Sequence, residues 1–124
     1  MACEPLSFVA FDVGGDMTGL AQSHYRLGMS YLHGKGVAKS YVEAMKWFKL
    51  AAQHQYPRAL FMLGRMYDLG QGAAENAAEA ARYFQQAAEL GYARAQNALG
   101  QAYIRGRGVD QDYGQALIWL RKAA

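Results

Sequence analysis

The residues best suited to chemistry are four arginines, Arg58, Arg65, Arg94 and Arg105, and three histidines, His24, His33 and His54. A guanidinium presents a planar fork of donors that matches a carboxylate, so arginines gathered on one face would recognise acidic side chains or a C-terminal carboxylate. The histidines point to nothing comparable. General acid–base catalysis needs paired ionisable groups converging on a pocket, and no Ser-His-Asp or Cys-His arrangement is suggested here. The histidine spacing does not suit a metal site, and the single cysteine, Cys3, excludes both an intrachain disulfide and a thiolate zinc cage. Loops such as Gly34-Lys35-Gly36 have the composition of a phosphate cradle but lack the preceding strand and the Gly-Lys-Ser/Thr ending. The sequence is therefore read as having no catalytic residue, no cofactor and no metal.

What would place the arginines is a repeat. Leu27-Gly28 with Tyr31, Leu63-Gly64 with Tyr67, and Leu99-Gly100 with Tyr103 recur at an interval of 36 residues, as do Ala44, Ala80, Ala116 and Trp47, Tyr83, Trp119. A period between about 20 and 50 residues is the mark of a solenoid, and three units are about the minimum that bury enough neighbouring surface. The expected fold class is all-α, a superhelix of three helix-turn-helix repeats over about 21–56, 57–92 and 93–124.

Helix A of each unit is expected over 21–33, 57–69 and 93–105. Its buried stripe holds Ser23, Leu27, Gly28 and Tyr31, then Ala59, Leu63, Gly64 and Tyr67, then Ala95, Leu99, Gly100 and Tyr103, at spacings that keep one helical face. Glycine inside a helix costs about 1 kcal/mol relative to alanine, so its recurrence asks for close approach by a neighbouring helix. Helix B opens with Ser40 and Glu43, Asn76 and Glu79, Asp112 and Gln115, the pattern of a capping box. Behind each box, Ala44, Trp47, Phe48, Ala51, Ala52 and their equivalents are expected to be buried.

Composition adds exclusions. A net charge of +3 from 13 basic and 10 acidic residues, with no run of like charge, reads as solubility rather than nucleic-acid binding. Residues 1–20 are expected to be a tail or a degenerate capping helix, with Phe11 and Gly19 in the phase of Trp47 and Gln55. The apolar stretch Leu6–Phe11 is too short for a membrane span, and no basic residue precedes it. That predicts no signal peptide and a cytoplasmic location, or a periplasmic one had a leader been removed.

The string Leu-Gly-x-x-Tyr-x-x-Gly-x-Gly-Val, followed by Glu-Ala-x-x-Trp-Phe-x-x-Ala-Ala, resembles the SEL-one-like repeat (SLR) family, relatives of tetratricopeptide repeats with a longer loop inside the repeat. The resemblance implies a right-handed solenoid that acts as a protein-binding scaffold. It does not carry over the β-lactam chemistry linked to some cysteine-rich members, because their cysteine pairs are missing here. Counting Gly28 as the eighth position of the related tetratricopeptide unit, the groove-facing positions place Tyr25, Met29 and His33 in unit one. They place Arg58, Phe61 and Arg65 in unit two, and Arg94, Asn97, Gln101 and Arg105 in unit three, with Gln22, Leu32, Asp68, Leu69 and Ile104 beside them. This strip is the expected site for a protein or peptide partner of acidic character. A second reading is an immunity or inhibitor protein that occludes an enzyme or toxin.

One further surface stands out. Ile118 occupies the position of Lys46 and Arg82, so Leu117, Ile118 and Leu120 form an apolar C-terminal face where a terminal repeat ordinarily has a polar one. The corresponding expectations are a covering element, either a second copy in a homodimer through that helix or a partner, and, equally, a fragment whose next helix is missing.

Overall fold

The computed structural model describes residues 13–124. They form six α-helices and no strand: α1 (Val13–His33), α2 (Tyr41–Ala52), α3 (Pro57–Leu69), α4 (Ala77–Glu89), α5 (Ala93–Arg105) and α6 (Tyr113–Ala123). Each helix packs against its predecessor, so A helices (α1, α3, α5) and B helices (α2, α4, α6) alternate along an all-α helical repeat. Pro57 sits at the first position of α3, where its missing N–H has no helical partner to lose. Helix α1 begins at Val13 rather than near residue 21, and Gly19 lies inside it instead of at a turn. Phe11, the other marker of the expected capping helix, lies outside the described residues. Among the described residues, no helix is long and apolar enough to cross a membrane.

Helix starts follow the expected residues but with a different partner. Ser40, Asn76 and Asp112 accept hydrogen bonds from the amides of Glu43, Glu79 and Gln115 at 3.1, 3.1 and 3.0 Å. The returning half of the capping box is replaced. Each N-cap amide instead donates to the carbonyl of Tyr31, Tyr67 or Tyr103 on the preceding A helix, at 2.9, 2.9 and 3.0 Å. Glu43 and Glu79 turn outward to pair with Lys46 and Arg82. The end of helix A and the start of helix B are thus bonded directly, which sets the angle of the hairpin. Between them the chain turns through left-handed glycines, such as Gly70 at φ 69° closing α3.

The core has two compartments. Ala59, Leu63 and Met66 of α3 face back into a cluster with Ala44, Met45, Phe48 and Ala51, while Leu60 and Phe61 face forward into a second with Ala80, Phe84, Ala95 and Leu99. Every A helix therefore needs a B helix before it as well as after it. In unit one no earlier B helix stands among the described residues. Leu27 is accordingly 39% exposed where Leu63 and Leu99 are 0%, and Ser23 is exposed where Ala59 and Ala95 are buried. Both were expected on the buried stripe. Trp47 and Ala52 are half-buried rather than buried, Trp47 lying against the His24 ring.

Within each repeat the A-helix glycine meets a helix B side chain. A Cβ added to Gly28 or Gly64 would sit 2.6 Å from the ring carbons of Phe48 or Phe84, and one on Gly100 would sit 2.7 Å from Leu120. Overpacking of this kind costs about 1–3 kcal/mol, which outweighs the helix-propensity gain of about 1 kcal/mol from alanine. Gly64→Ala is predicted to lower stability in chemical denaturation by about 1 kcal/mol net. Gly19→Ala, with nothing within 4 Å, is predicted to raise it by up to about 1 kcal/mol. Equal stability of Gly64→Ala and wild type would contradict the close-contact account.

Candidate functional site

Three hollows open between the A helices. The first, about 350 Å³, is lined by Tyr25, Met29, Leu32 and His33 of α1, Met62, Arg65 and Leu69 of α3, and Arg94 of α5. The second, about 260 Å³, lies between Phe61, Arg65 and Asp68 of α3 and Gln101 and Arg105 of α5, with alanines of α4 and α5 beneath. The third, about 610 Å³, is bounded by Phe61, Arg94, Asn97 and Leu120. Arg65 belongs to the first and second, Phe61 to the second and third, Arg94 to the first and third. The hollows therefore share walls and form one surface.

Of the expected strip residues, Tyr25, Met29, Leu32, His33, Phe61, Arg65, Asp68, Leu69, Arg94, Asn97, Gln101 and Arg105 line one of these hollows, whereas Gln22, Arg58 and Ile104 line none. Arg58 is exposed. Leu32 and Phe61 belong to the core and show only an edge, so they shape the wall and leave contact to their neighbours. Of the expected assembly residues, Leu117 is 50% exposed, whereas its equivalents Met45 and Ala81 are 5% and 4%, because the following A helix covers those two. Ile118 is also exposed. Leu120 is different, being partly buried against Gly100 and forming a wall of the third hollow.

The walls repeat. Tyr25 packs on Phe48 and Tyr56 with ring centroids 5.8 and 5.4 Å apart, and one unit later Phe61 packs on Phe84 and Tyr92 at 5.6 and 5.5 Å. Burial raises the Tyr25 phenol above its ordinary range, Tyr92 pushes the same way, and the charges of Arg58 and Arg94 partly offset them. The Arg94 guanidinium lies 4.9 Å from the Phe61 ring centre, a cation–π contact that holds the cation over the groove wall.

Arg107 was not among the expected residues. Its Nε donates to Asp68 Oδ1 at 2.8 Å and its Nη2 to Glu75 Oε2 at 2.8 Å and to the Asp68 carbonyl at 3.2 Å. Glu75 first, then Asp68, raise its already high pKa and keep it charged. The contact spans 39 residues, which local pattern does not reveal; the signal was an arginine at the loop position held by Lys35 and Gln71, with one carboxylate in the last turn of α3 and one in the loop after it. Because Asp68 is taken up by Arg107, no carboxylate is paired with Arg65 or Arg105 among the described residues. No group of three or more metal-ligating side chains is gathered among those residues either.

Stacked helical hairpins that present a continuous, cation-bearing strip define an α-helical repeat scaffold. The chain belongs to the Sel1 repeat family, whose repeat model matches residues 21–56, 57–92 and 93–124. Sel1 repeat proteins are generally non-catalytic and mediate protein–protein interactions. Among solved structures, a protective antigen present in uropathogenic Escherichia coli strains, displaying an SLR fold, is similar at 40% identity and a TM-score of 0.83 over 85% of this chain. A Sel1 repeat protein from Oxalobacter formigenes is similar at 31% identity and 0.84 over 91%. The chain spans 22% and 46% of the lengths of those two proteins. Cysteine rich protein B of Helicobacter pylori, at 19% identity and 0.70 over 87% of this chain and 86% of its own, shares the fold. No curated protein matches the chain.

The Arg107 bridge joins the loops of repeats two and three in solvent, so it is sensitive to salt. Arg107→Ala is predicted to speed amide hydrogen exchange across Gln71–Asn76 at low ionic strength with helicity unchanged, and high salt to move the wild type toward the variant. Exchange rates identical in the two proteins would rule the bridge out as a loop clamp.

Proposed function

We propose that the chain binds an extended, acidic segment of a protein partner along the strip formed by the three hollows. The observation that supports this reading is the sharing of Arg65, Phe61 and Arg94 between adjacent hollows, which makes an uninterrupted surface of aromatic walls and cations. Apolar burial against Tyr25 and Met29 supplies affinity, and charge-assisted hydrogen bonds from Arg65, Arg94 and Arg105 supply selectivity for carboxylates. A scaffold of this kind works by holding its partner, and the partner is chosen by side chains that the fold itself does not need.

The test is quantitative affinity capture with wild type beside an Arg65/Arg94/Arg105→Glu variant of verified helicity. The expected result is a partner retained by the wild type, weakened by rising salt and lost by the variant. A partner retained equally by both would remove binding from this strip.

A further inference from the structure

The two ends of the array are finished differently. On α1 the positions that α3 turns toward the preceding repeat, Ala59, Met62 and Met66, are Ser23, Arg26 and Ser30, so this end is largely polar. On α6 the change runs the other way. In repeats one and two an outward ion pair stands on helix B, Glu43 with Lys46 and Glu79 with Arg82. One period later both members are gone, replaced by Gln115 and Ile118. Ile118 stands beside Leu117 and Tyr113 on the outer face of α6, and all three are exposed. A further repeat would cover Leu117, as α3 covers Met45, but it would not cover Ile118. Lys46 and Arg82 keep 68% and 52% of their side chains exposed although a repeat follows each of them.

We infer that α6 pairs with α6 of a second copy of this chain, antiparallel about a twofold axis at Leu117 and Ile118. An isologous contact asks that one face complement itself, and this face does. Its middle is apolar, its start is acidic with Asp110 and Asp112, and its end is basic with Arg121 and Lys122. At a rise of about 1.5 Å per residue, Arg121 of one copy and Gly114 of the other lie equally far from the axis and so face each other. Gly114 has no side chain to obstruct the approach, and the place of a Cβ there is 3.3 Å from Asp112 Oδ1. The guanidinium therefore arrives beside a carboxylate, while Asp112 keeps its capping bond from the Gln115 amide. Neither Arg121 nor Asp112 makes an ion pair among the described residues. Opposed helix dipoles add to the match, whereas parallel pairing would set like charges together. With three turns of helix, about 16 Å long, the contact belongs to the weak class that dissociates on dilution. Helix α6 lends the binding strip Leu120, Ala123 and Ala124, none of them on this face, so the dimer carries two free strips.

The experiment is analytical ultracentrifugation of the chain from micromolar to millimolar concentration. The wild type is expected to pass from monomer to dimer as concentration rises and to stop there, because a twofold contact closes. Ile118→Lys with Gln115→Glu restores the ion pair of the other two repeats on an exposed face, and is expected to stay monomeric with unchanged helicity. Asp112→Asn keeps the kind of cap that Asn76 makes in repeat two while removing the charge. That change and Arg121→Gln are each expected to weaken the dimer about three- to tenfold, and together no further than either alone. A strict monomer at every concentration overturns the proposal. So does a dimer that survives Ile118→Lys with Gln115→Glu, or one in which the two charge changes add in full, since those residues then do not meet. Growth beyond the dimer that Leu27→Lys abolishes would mean head-to-tail stacking of α6 on α1, and overturns it as well.

Discussion

Everything in this chain depends on the contact between a helix A backbone and a helix B side chain at the recurring glycine. With no Cβ at Gly28, Gly64 or Gly100, the ring of Phe48, the ring of Phe84 or the Leu120 side chain lies directly on the helix backbone. That contact fixes how near the two helices of a hairpin come. The Tyr31, Tyr67 and Tyr103 carbonyls, by accepting from the next helix's N-cap, fix how the hairpin opens. These two constraints recur in all three repeats, and a repeat array built this way owes its stability to nearest-neighbour interfaces.

Once the frames are equal, differences between copies become the informative quantity. Positions that build the hairpin vary little: glycine at 28, 64 and 100, alanine at 44, 80 and 116, an aromatic at 47, 83 and 119. Positions between A helices vary widely, and there the chain exchanges methionine and tyrosine for alanine and leucine for arginine. The same backbone therefore carries two differently lined seams. A second glycine allows close approach between repeats two and three, since a Cβ on Gly108 would run into the Ala77 carbonyl and its φ of +78° is one that L side chains rarely adopt.

Local signals were legible before any coordinates. Proline at α3, the N-cap residues Ser40, Asn76 and Asp112, and glycines closing α3 and α5 act within one turn, so the helix bounds of units two and three follow from them. Quantities that depend on a neighbour were not. Leu27 has the type and phase of Leu63 and Leu99, yet it is exposed because its partner helix is not among the described residues. Leu32 and Phe61 were assigned to the groove by position, but each also belongs to a core cluster shared with its own helix B. The returning capping bond was lost to a tyrosine carbonyl outside the local window. The lining of the hollow between repeats two and three was visible in principle as four alanines at the period of Tyr41, Met45, Met62 and Met66, a comparison of copies rather than of neighbours in sequence.

The most direct measurement is the alanine methyl NMR spectrum of the chain, titrated with an acidic peptide bearing one leucine. The account predicts shift changes concentrated at Ala98 and Ala102, which line the strip and are half-buried, with the fully buried Ala44 and Ala51 unmoved. Changes confined to exposed helix B alanines such as Ala78, with Ala98 and Ala102 silent, would contradict it.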